Sequence, residues 1–191
     1  MRQPRKGYEN RDFGVLNVSA EDLTIDASDE VKRRFLVACN GCSLIGRREK
    51  REYAVLIDSA TGKTVKNSGL KKGTENTVSL TEWIPLLKQS RELTLSIIHN
   101  HPNGAPFSLG DIKEFLKYPS IKSMWLPSGK RLYYLEKQDD SVLAYDAILK
   151  KVQLAARNIG KTTDNKQNRI EVVHLIYKEV FKHGKIRYER W

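Results

Sequence analysis

Apolar residues recur at helical spacing near the start of the chain, at Val31, Phe35, Ala38, Cys39 and Cys42. That spacing places side chains on one face of an α-helix. Ser28 or Asp29 can cap the N-terminus of such a helix, and the acidic residues there suit its dipole. The pattern therefore predicts a helix over about 29–44, which Gly46 and the basic cluster around it bring to an end.

Short runs of apolar or β-branched residues, bounded by turn-forming residues, predict several strands in the middle of the chain. The runs are 15–18, 53–57, 64–66, 93–98, 121–126 and 131–136. Residues 67–76 are expected to form a loop. Two short helices are predicted over about 81–90 and 108–117, and Pro119 stops the second of them.

Two longer helical stripes follow after about residue 140, where the apolar pattern takes on a helical period. They cover about 145–159 and 170–181 and are separated by a polar connector at 160–168. The two predicted helices can pair as a hairpin, dock on the core or form a homodimer interface. The sequence leaves these alternatives open.

The mixed order of helices and strands predicts an α+β (α/β-like) fold with a mixed β-sheet core flanked by helices and a C-terminal helical hairpin. The chain has 191 residues, which fits one domain of ordinary size with appendages. We divide it into an N-terminal extension (1–27), a core domain (28–138) and a basic C-terminal helical extension (139–191).

The chain is strongly basic, with a formal net charge of +11 and a pI of about 9.6. A surface of this charge attracts polyanions such as nucleic acid. The sequence contains no motif that reads DNA or RNA bases. The charge therefore favours weak nucleic-acid binding over sequence-specific recognition, and a solvated surface is the plainer interpretation. For the basic run at the C-terminus, a solvated face is favoured and nucleic-acid contact is the alternative.

The two cysteines, Cys39 and Cys42, do not form a disulfide framework, so a reducing cytoplasm is the expected location. One Cys-x-x-Cys pair cannot complete a zinc site, and its helical context favours two packed thiols. Residues 1–11 lack the apolar core of a signal peptide. No apolar run approaches the ~20 residues that a membrane span requires, so we expect no membrane segment.

The candidate chemistry follows the strand predicted at 93–98. The sequence reads His-Asn-His-Pro over 99–102 and, after a loop rich in glycine and proline, Ser-x-x-Asp over 108–111. Residues i and i+2 of a strand point to the same face, so His99 and His101 present two imidazoles side by side. Asp111 falls in the first turn of the next helix and can face the strand end. Two imidazoles and one carboxylate leave a fourth position for water, as in a catalytic zinc site.

Water activated at such a site needs a base to receive its proton. Glu52 is the candidate because it directly precedes the strand predicted at 53–57. Glu49 is the alternative, since element boundaries read from sequence shift by ~2–4 residues. Ser108 is the candidate donor to the oxyanion. Ser108 and Asp111 also match a helix capping box, and the plainer interpretation makes Asp111 a cap partner only.

These residues together resemble the JAB/JAMM (MPN+) metallopeptidases. The His-Asn-His-Pro-Asn-Gly run at 99–104 is especially similar to the bacterial RadC-type branch and to related phage and mobile-element proteins. The resemblance covers roughly 28–137 by order of elements. One difference is that five residues separate Pro102 from Ser108, one fewer than is usual in the family.

The resemblance implies a cytidine-deaminase-like JAB/MPN fold and hydrolysis of peptide or isopeptide bonds in a protein or peptide substrate. It implies Zn²⁺ held by His99, His101 and Asp111. It also implies Glu52 as the general base and Ser108 as the residue that polarises the reaction intermediate.

Two other functions are kept as hypotheses. The similarity to the RadC-type branch and the net charge of +11 suggest a nucleic-acid-associated protein whose metal centre is auxiliary or acts on a protein partner. A catalytically silent MPN scaffold, with the C-terminal helices as a partner interface, is the third hypothesis. The intact set of predicted ligands argues against the silent scaffold.

Overall fold

The structure, a computed structural model, describes residues 16–138 and 186–191 together with the positions 147, 150, 151, 154, 173, 174, 176–178 and 181. In chain order these residues form α1 (Asp29–Glu49), β1 (Tyr53–Asp58), β2 (Leu70–Lys72), a 3₁₀ turn (Thr81–Trp83), α2 (Ile84–Gln89), β3 (Leu95–His99), α3 (Leu109–Lys117), β4 (Ile121–Ser128), β5 (Arg131–Lys137) and β6 (Ile186–Arg190).

The strands form one six-stranded sheet in the order β2-β1-β3-β4-β5-β6. β3 and β4 are parallel and are connected through α3, as a parallel pair requires, whereas all other neighbours are antiparallel. The described residues therefore confirm an α+β fold with a mixed, mostly antiparallel sheet.

Helices and C-terminal residues cover the sheet on both faces. On one face, Ile98 and Trp125 pack against α1, and the Phe35 ring stacks on Trp125 at a centroid distance of 4.9 Å. On the other face, Ile97 belongs to a core that includes α3 and Phe181. Because both faces are covered, all five residues of β3 are buried, including the polar residues Ser96 and His99.

α1 is longer than the sequence predicts and ends at Glu49 instead of near residue 44. Gly46 does not end the helix. It lies buried inside it, where an added Cβ would be 2.1 Å from the Asn100 side-chain nitrogen. The glycine therefore permits close packing against the strand end. The chain leaves the helix at Lys50, which adopts a left-handed conformation with φ 53° and donates its N–H to the Gly46 carbonyl.

Two of the predicted strands are absent from the structure. Residues 16–18 are not a strand, and Leu16 is instead buried, with its N–H donating to Asn40 Oδ1 at 3.1 Å. The strand predicted at 64–66 is reduced to a single bridge between Ile57 and Thr64. Pairing with β1 resumes at β2, inside the segment predicted as a loop. β2 has exposed or half-buried side chains, so no apolar pattern marks it.

β6 lies in the segment predicted as a helical extension, and that prediction is wrong for residues 186–190. The strand pairs antiparallel with β5, with Tyr188 opposite Leu135, and buries Ile186 and Tyr188. The sheet therefore draws on residues from both sides of the 138/139 boundary.

The described positions from 147 to 154 and from 173 to 181 are helical, as the two stripes predict. Tyr177 and Phe181 are buried in the core beside α3. The predicted hairpin pairing, its connector at 160–168 and the homodimer interface lie outside the described residues.

No helix among the described residues combines the length and the apolar character that crossing a membrane requires.

Candidate metal centre

The end of β3 brings the two histidines together. His99 is the last residue of the strand, pairs with Ala54 of β1, and faces the same core as Ile97. His101 follows two positions later, and the two imidazole rings lie 5.0 Å apart between centroids at an angle of 67°. Both side chains are buried, with 3% and 6% of their surface exposed.

α3 supplies the carboxylate. Ser108 is the N-cap residue of α3, and its hydroxyl accepts a hydrogen bond from the Asp111 N–H at 3.1 Å. In return, Asp111 Oδ2 accepts from the Ser108 N–H at 2.6 Å, which completes a capping box. This cap turns the Asp111 side chain back toward the end of β3.

The Asp111 carboxylate caps the helix and faces both histidines at once. Its Oδ1 lies 3.1 Å from His99 Nε2, and its Oδ2 lies 3.4 Å from His101 Nε2. Oδ2 makes the cap and is also the oxygen that faces His101, while Oδ1 faces His99. The capping box therefore leaves the carboxylate directed at both histidines.

The composition of this cluster fits a metal ion. One ligand atom each from His99, His101 and Asp111 lies within 4.8 Å of the other two. His99 Nε2 is buried without a hydrogen-bond partner, although Asp111 Oδ1 lies 3.1 Å from it as an ion-pair contact. A buried nitrogen lone pair without a donor is costly in a folded protein unless another group meets it. Two imidazoles and one carboxylate suit Zn²⁺ among the common biological metals.

Backbone carbonyls orient the His101 ring. Its Nδ1 lies 3.2 Å from the Ala105 carbonyl oxygen and 3.1 Å from that of Pro106. Carbonyl oxygens only accept, so Nδ1 carries the hydrogen and the Nε2 lone pair faces Asp111. The Ser128 hydroxyl, which donates to the Ala105 carbonyl at 2.7 Å, holds the same loop from β4. The five-residue loop between Pro102 and Ser108 therefore brings α3 to the histidines.

Charges in the cluster stabilise the ionised carboxylate. Burial opposes ionisation of Asp111, but His99 and His101 outweigh it and hold the pKa of this carboxyl well below its usual value. Burial also lowers the pKa of His101, and the Asp111 and Glu52 carboxylates more than compensate, so its pKa is raised. The side chains of the cluster thus interact electrostatically, and Asp111 carries the negative charge.

Glu52 stands beside the cluster, as the sequence predicts. It precedes β1, is 5% exposed, and places Oε1 3.6 Å from His101 Nε2. Burial raises the pKa of Glu52, and the nearby histidines only partly offset this effect. A carboxylate whose pKa lies closer to neutrality is a better acceptor of a proton from water.

Glu49, the alternative base, is directed elsewhere. Its carboxylate accepts hydrogen bonds from the Tyr53 hydroxyl and, at 2.7 Å, from Lys72. These bonds, that of Lys72 foremost, lower the pKa of Glu49 to about 2. Such a carboxylate holds a proton poorly at neutral pH, and it does not line the cleft at the histidines, whereas Glu52 does.

A cleft of about 260 Å³ opens beside the cluster. Ile97, Met124, Val78 and Leu80 contribute apolar surface to its lining. Ser108 lies at its edge, at the N-terminus of α3. Its hydroxyl accepts from Asp111 and retains its own hydrogen for an oxygen in the cleft. The lining of the cleft therefore combines apolar side chains with the polar groups of the cluster and with Lys113 and Glu114.

Three positioning residues were not predicted from the sequence. Asn100 stands between the histidines in the motif, and the sequence assigns it no role. It is 1% exposed, and its side-chain oxygen and nitrogen both bond to backbone groups. Ser128 holds the loop after His101. The Tyr177 hydroxyl donates to the Phe107 carbonyl at 2.8 Å, from 70 positions away. For Asn100 the motif itself was a signal, but no local pattern could have revealed the other two.

The cysteines are not part of any such cluster. Cys39 and Cys42 are buried and unbonded in α1. Burial raises the pKa of Cys42 to about 12 and that of Cys39 well above its usual value, so both thiols remain protonated. This agrees with the expectation of two packed thiols.

No protein-family model matches this chain, and neither does any curated protein or solved structure. Inference about its function therefore starts from the geometry of the cluster and the cleft.

Proposed function

We propose that this protein is a zinc-dependent hydrolase that cleaves peptide or isopeptide bonds. The observation that carries the proposal is the convergence of His99, His101 and Asp111, with ligand atoms within 4.8 Å of one another, next to the buried carboxylate of Glu52. A structural zinc site would use four protein ligands, whereas three ligands and a neighbouring base are typical of a hydrolytic site.

His99, His101 and Asp111 would hold the ion. When bound, Zn²⁺ supplies a Lewis acid that brings the pKa of water to about 7 and polarises a carbonyl oxygen. The capping box and the carbonyls of Ala105 and Pro106 fix the ligands in place before any ion arrives. Such preorganisation reduces the cost of assembling the site.

Glu52 would move the proton. Its carboxylate takes a proton from water as the water oxygen attacks the carbonyl carbon, and it returns that proton to the nitrogen when the C–N bond breaks. Burial raises the pKa of Glu52, which makes it a stronger base than an ordinary carboxylate. No other carboxylate in the described lining of the cleft, apart from Asp111, is as close to the histidines.

Ser108 would stabilise the oxygen of the substrate carbonyl. Its hydroxyl hydrogen is unused by the capping box and lies at the N-terminus of α3, where the helix dipole also favours negative charge. The apolar lining residues of the cleft would accept an uncharged side chain of the substrate next to the reacting bond.

The test is hydrolysis of a mixture of defined peptides and ubiquitin-like isopeptide conjugates by the zinc-loaded protein, read by mass spectrometry. Glu52→Gln should retain zinc and lose activity by about 10²–10⁴-fold. Glu49→Gln is the matched control and should retain both zinc and activity. Full activity in Glu52→Gln would rule out the role of Glu52, and no cleavage by the native protein would refute the proposed class of reaction.

A further inference from the structure

Asn100 lies between the two histidines in sequence, but its side chain is on the other side of the strand end. It is buried against α1, where Gly46 packs against its amide. A polar amide in such a place must be paired to be tolerated. The hydrogen-bond partners of the Asn100 side chain therefore indicate its role.

The oxygen and the nitrogen of the Asn100 side-chain amide each form a hydrogen bond with the backbone, one on either side of Glu52. Asn100 Oδ1 accepts from the Tyr53 N–H at 2.8 Å, and Asn100 Nδ2 donates to the Arg51 carbonyl at 3.2 Å. The backbone N–H of Asn100 adds a third bond, to the Tyr53 carbonyl at 3.2 Å. One side chain therefore connects the peptide groups before and after Glu52 to the residue between the histidines.

The backbone of Glu52 itself is held from the opposite side. Its N–H donates to the Thr74 carbonyl at 2.7 Å, and its carbonyl accepts from the Gly73 N–H at 2.8 Å. Hydrogen bonds from the loop after β2 and from the Asn100 amide thus hold the backbone at Glu52 from two sides. From this fixed backbone the Glu52 side chain places Oε1 3.6 Å from His101 Nε2.

We propose that Asn100 is a positioning residue that fixes Glu52 relative to the histidine pair. The inference rests on the proposed function, because it assumes that Glu52 is the proton carrier. The bonds made by the amide tie the base to the same strand end that presents both ligands, so base and ligands move as one unit. Errors of about 1 Å in such an arrangement cost on the order of 10²-fold in rate.

Gly46 is the second part of this arrangement. An added Cβ would lie 2.1 Å from Asn100 Nδ2 and 2.6 Å from its Cγ, so the amide would have to move and break its bonds. Gly46→Ala therefore disturbs Asn100 without changing any residue of the cluster. It provides an independent route to the same effect.

The first experiment measures amide hydrogen exchange in the metal-free full chain by NMR. In Asn100→Ala, the Tyr53 amide should exchange about tenfold faster or more, while the amides inside β1 keep their protection. Asn40→Ala is the control, since it also removes an amide-to-backbone bond, to Leu16 at 3.1 Å, but away from the cluster. Unchanged exchange at Tyr53 in Asn100→Ala would overturn the proposal without reference to activity.

The second experiment compares zinc affinity, by chelator competition, with kcat for peptide hydrolysis. Asn100→Ala and Gly46→Ala should lower kcat by about 10- to 100-fold and leave zinc affinity within about threefold. Combining Asn100→Ala with Glu52→Gln should cause little further loss. A parallel fall in zinc affinity would show that Asn100 positions the histidines instead of Glu52, and would overturn the assigned role. An inactive native protein would refute the proposed function, while the exchange result would still decide whether Asn100 holds the backbone at Glu52.

Discussion

His99 Nε2 and Asp111 Oδ1 lie 3.1 Å apart, although they come from a strand and from the helix that follows it. The other oxygen of the same carboxylate makes the capping box of α3 with Ser108. The fold and the candidate centre therefore share one side chain. The cap that starts the helix also aims the third ligand, and the two contributions can be separated by mutation.

Ser108→Ala should separate them. The change removes the hydroxyl that accepts from the Asp111 N–H, and loss of such a cap costs about 1 kcal/mol of stability. Zinc stoichiometry should remain unchanged because Asp111 keeps both oxygens. Peptide hydrolysis should fall by roughly 10²-fold if the hydroxyl donates to the developing oxyanion. Urea unfolding, metal content and turnover check the three parts, and unaltered turnover would remove Ser108 from the reaction.

Tyr177 should affect zinc binding from a distance. Its hydroxyl donates to the Phe107 carbonyl, directly before Ser108, and Tyr177→Phe would leave that buried carbonyl without its donor. We expect a loss of about 1–3 kcal/mol in stability and roughly tenfold in zinc affinity. Tyr188→Phe is the control, because the Tyr188 hydroxyl lies 3.0 Å from His174 Nδ1 and not at this loop. Equal zinc affinity in Tyr177→Phe and in the native protein would contradict the prediction.

The site was more predictable from the sequence than the edges of the sheet. His99 ends a buried strand and His101 follows two positions later, a spacing that favours the same face, and the capping pattern predicts Asp111 at the start of α3. The edges carry no such local signal. β2 is short and mostly exposed. β6 pairs with β5, although residues 138–185 separate the two strands in the sequence. Their pairing is a long-range property.

Gly46 shows why a local rule failed. Glycine commonly marks the end of a helix, and the basic residues after it strengthened that interpretation. The deciding contact is with Asn100, far away in sequence, and it requires a residue without Cβ in the last turn of the helix. Tertiary contact thus overrode helix propensity at this position.

Two glycines of α1 should consequently respond to alanine in opposite directions. An added Cβ at exposed Gly41 meets no atom within 4 Å, so Gly41→Ala should stabilise the protein by about 0.5–1 kcal/mol through helix propensity. Gly46→Ala should destabilise it by about 1–3 kcal/mol, because the new Cβ displaces a buried amide. Denaturant unfolding of both variants is the measurement. Stabilisation by both would mean that the contact with Asn100 is not tight.

Lys137 should give the protein a characteristic pH dependence. It is 2% exposed, it donates to the Tyr118 carbonyl at 2.7 Å, and burial lowers its pKa from 10.5 to about 8, an effect that Glu92 opposes. Between these two pKa values the unfolded chain binds more protons at this residue than the folded chain. Its contribution to stability therefore rises with pH from about 8 to 10.5, by up to about 3 kcal/mol.

Lys137→Met isolates that contribution. The unfolding free energy of the native protein minus that of the variant should be constant below pH 8 and should increase as the pH rises through this window. The lost hydrogen bond adds an offset that does not depend on pH. Urea unfolding at a series of pH values measures the difference. Parallel curves for the two proteins would show that Lys137 keeps an ordinary pKa in the folded state.

The most direct test of the metal centre is the zinc content of the purified protein, measured by elemental mass spectrometry after incubation with zinc and removal of excess metal. We compare the native chain with Asp111→Asn, which keeps an oxygen for the helix cap but is a poor zinc ligand, and with Asp22→Ala, whose carboxylate lies outside the cluster and bonds to Ser19. About one zinc per chain in the native protein and in Asp22→Ala, with almost none in Asp111→Asn, is the predicted result. No zinc in the native protein, or equal zinc in all three, would contradict the assignment of His99, His101 and Asp111 as its ligands.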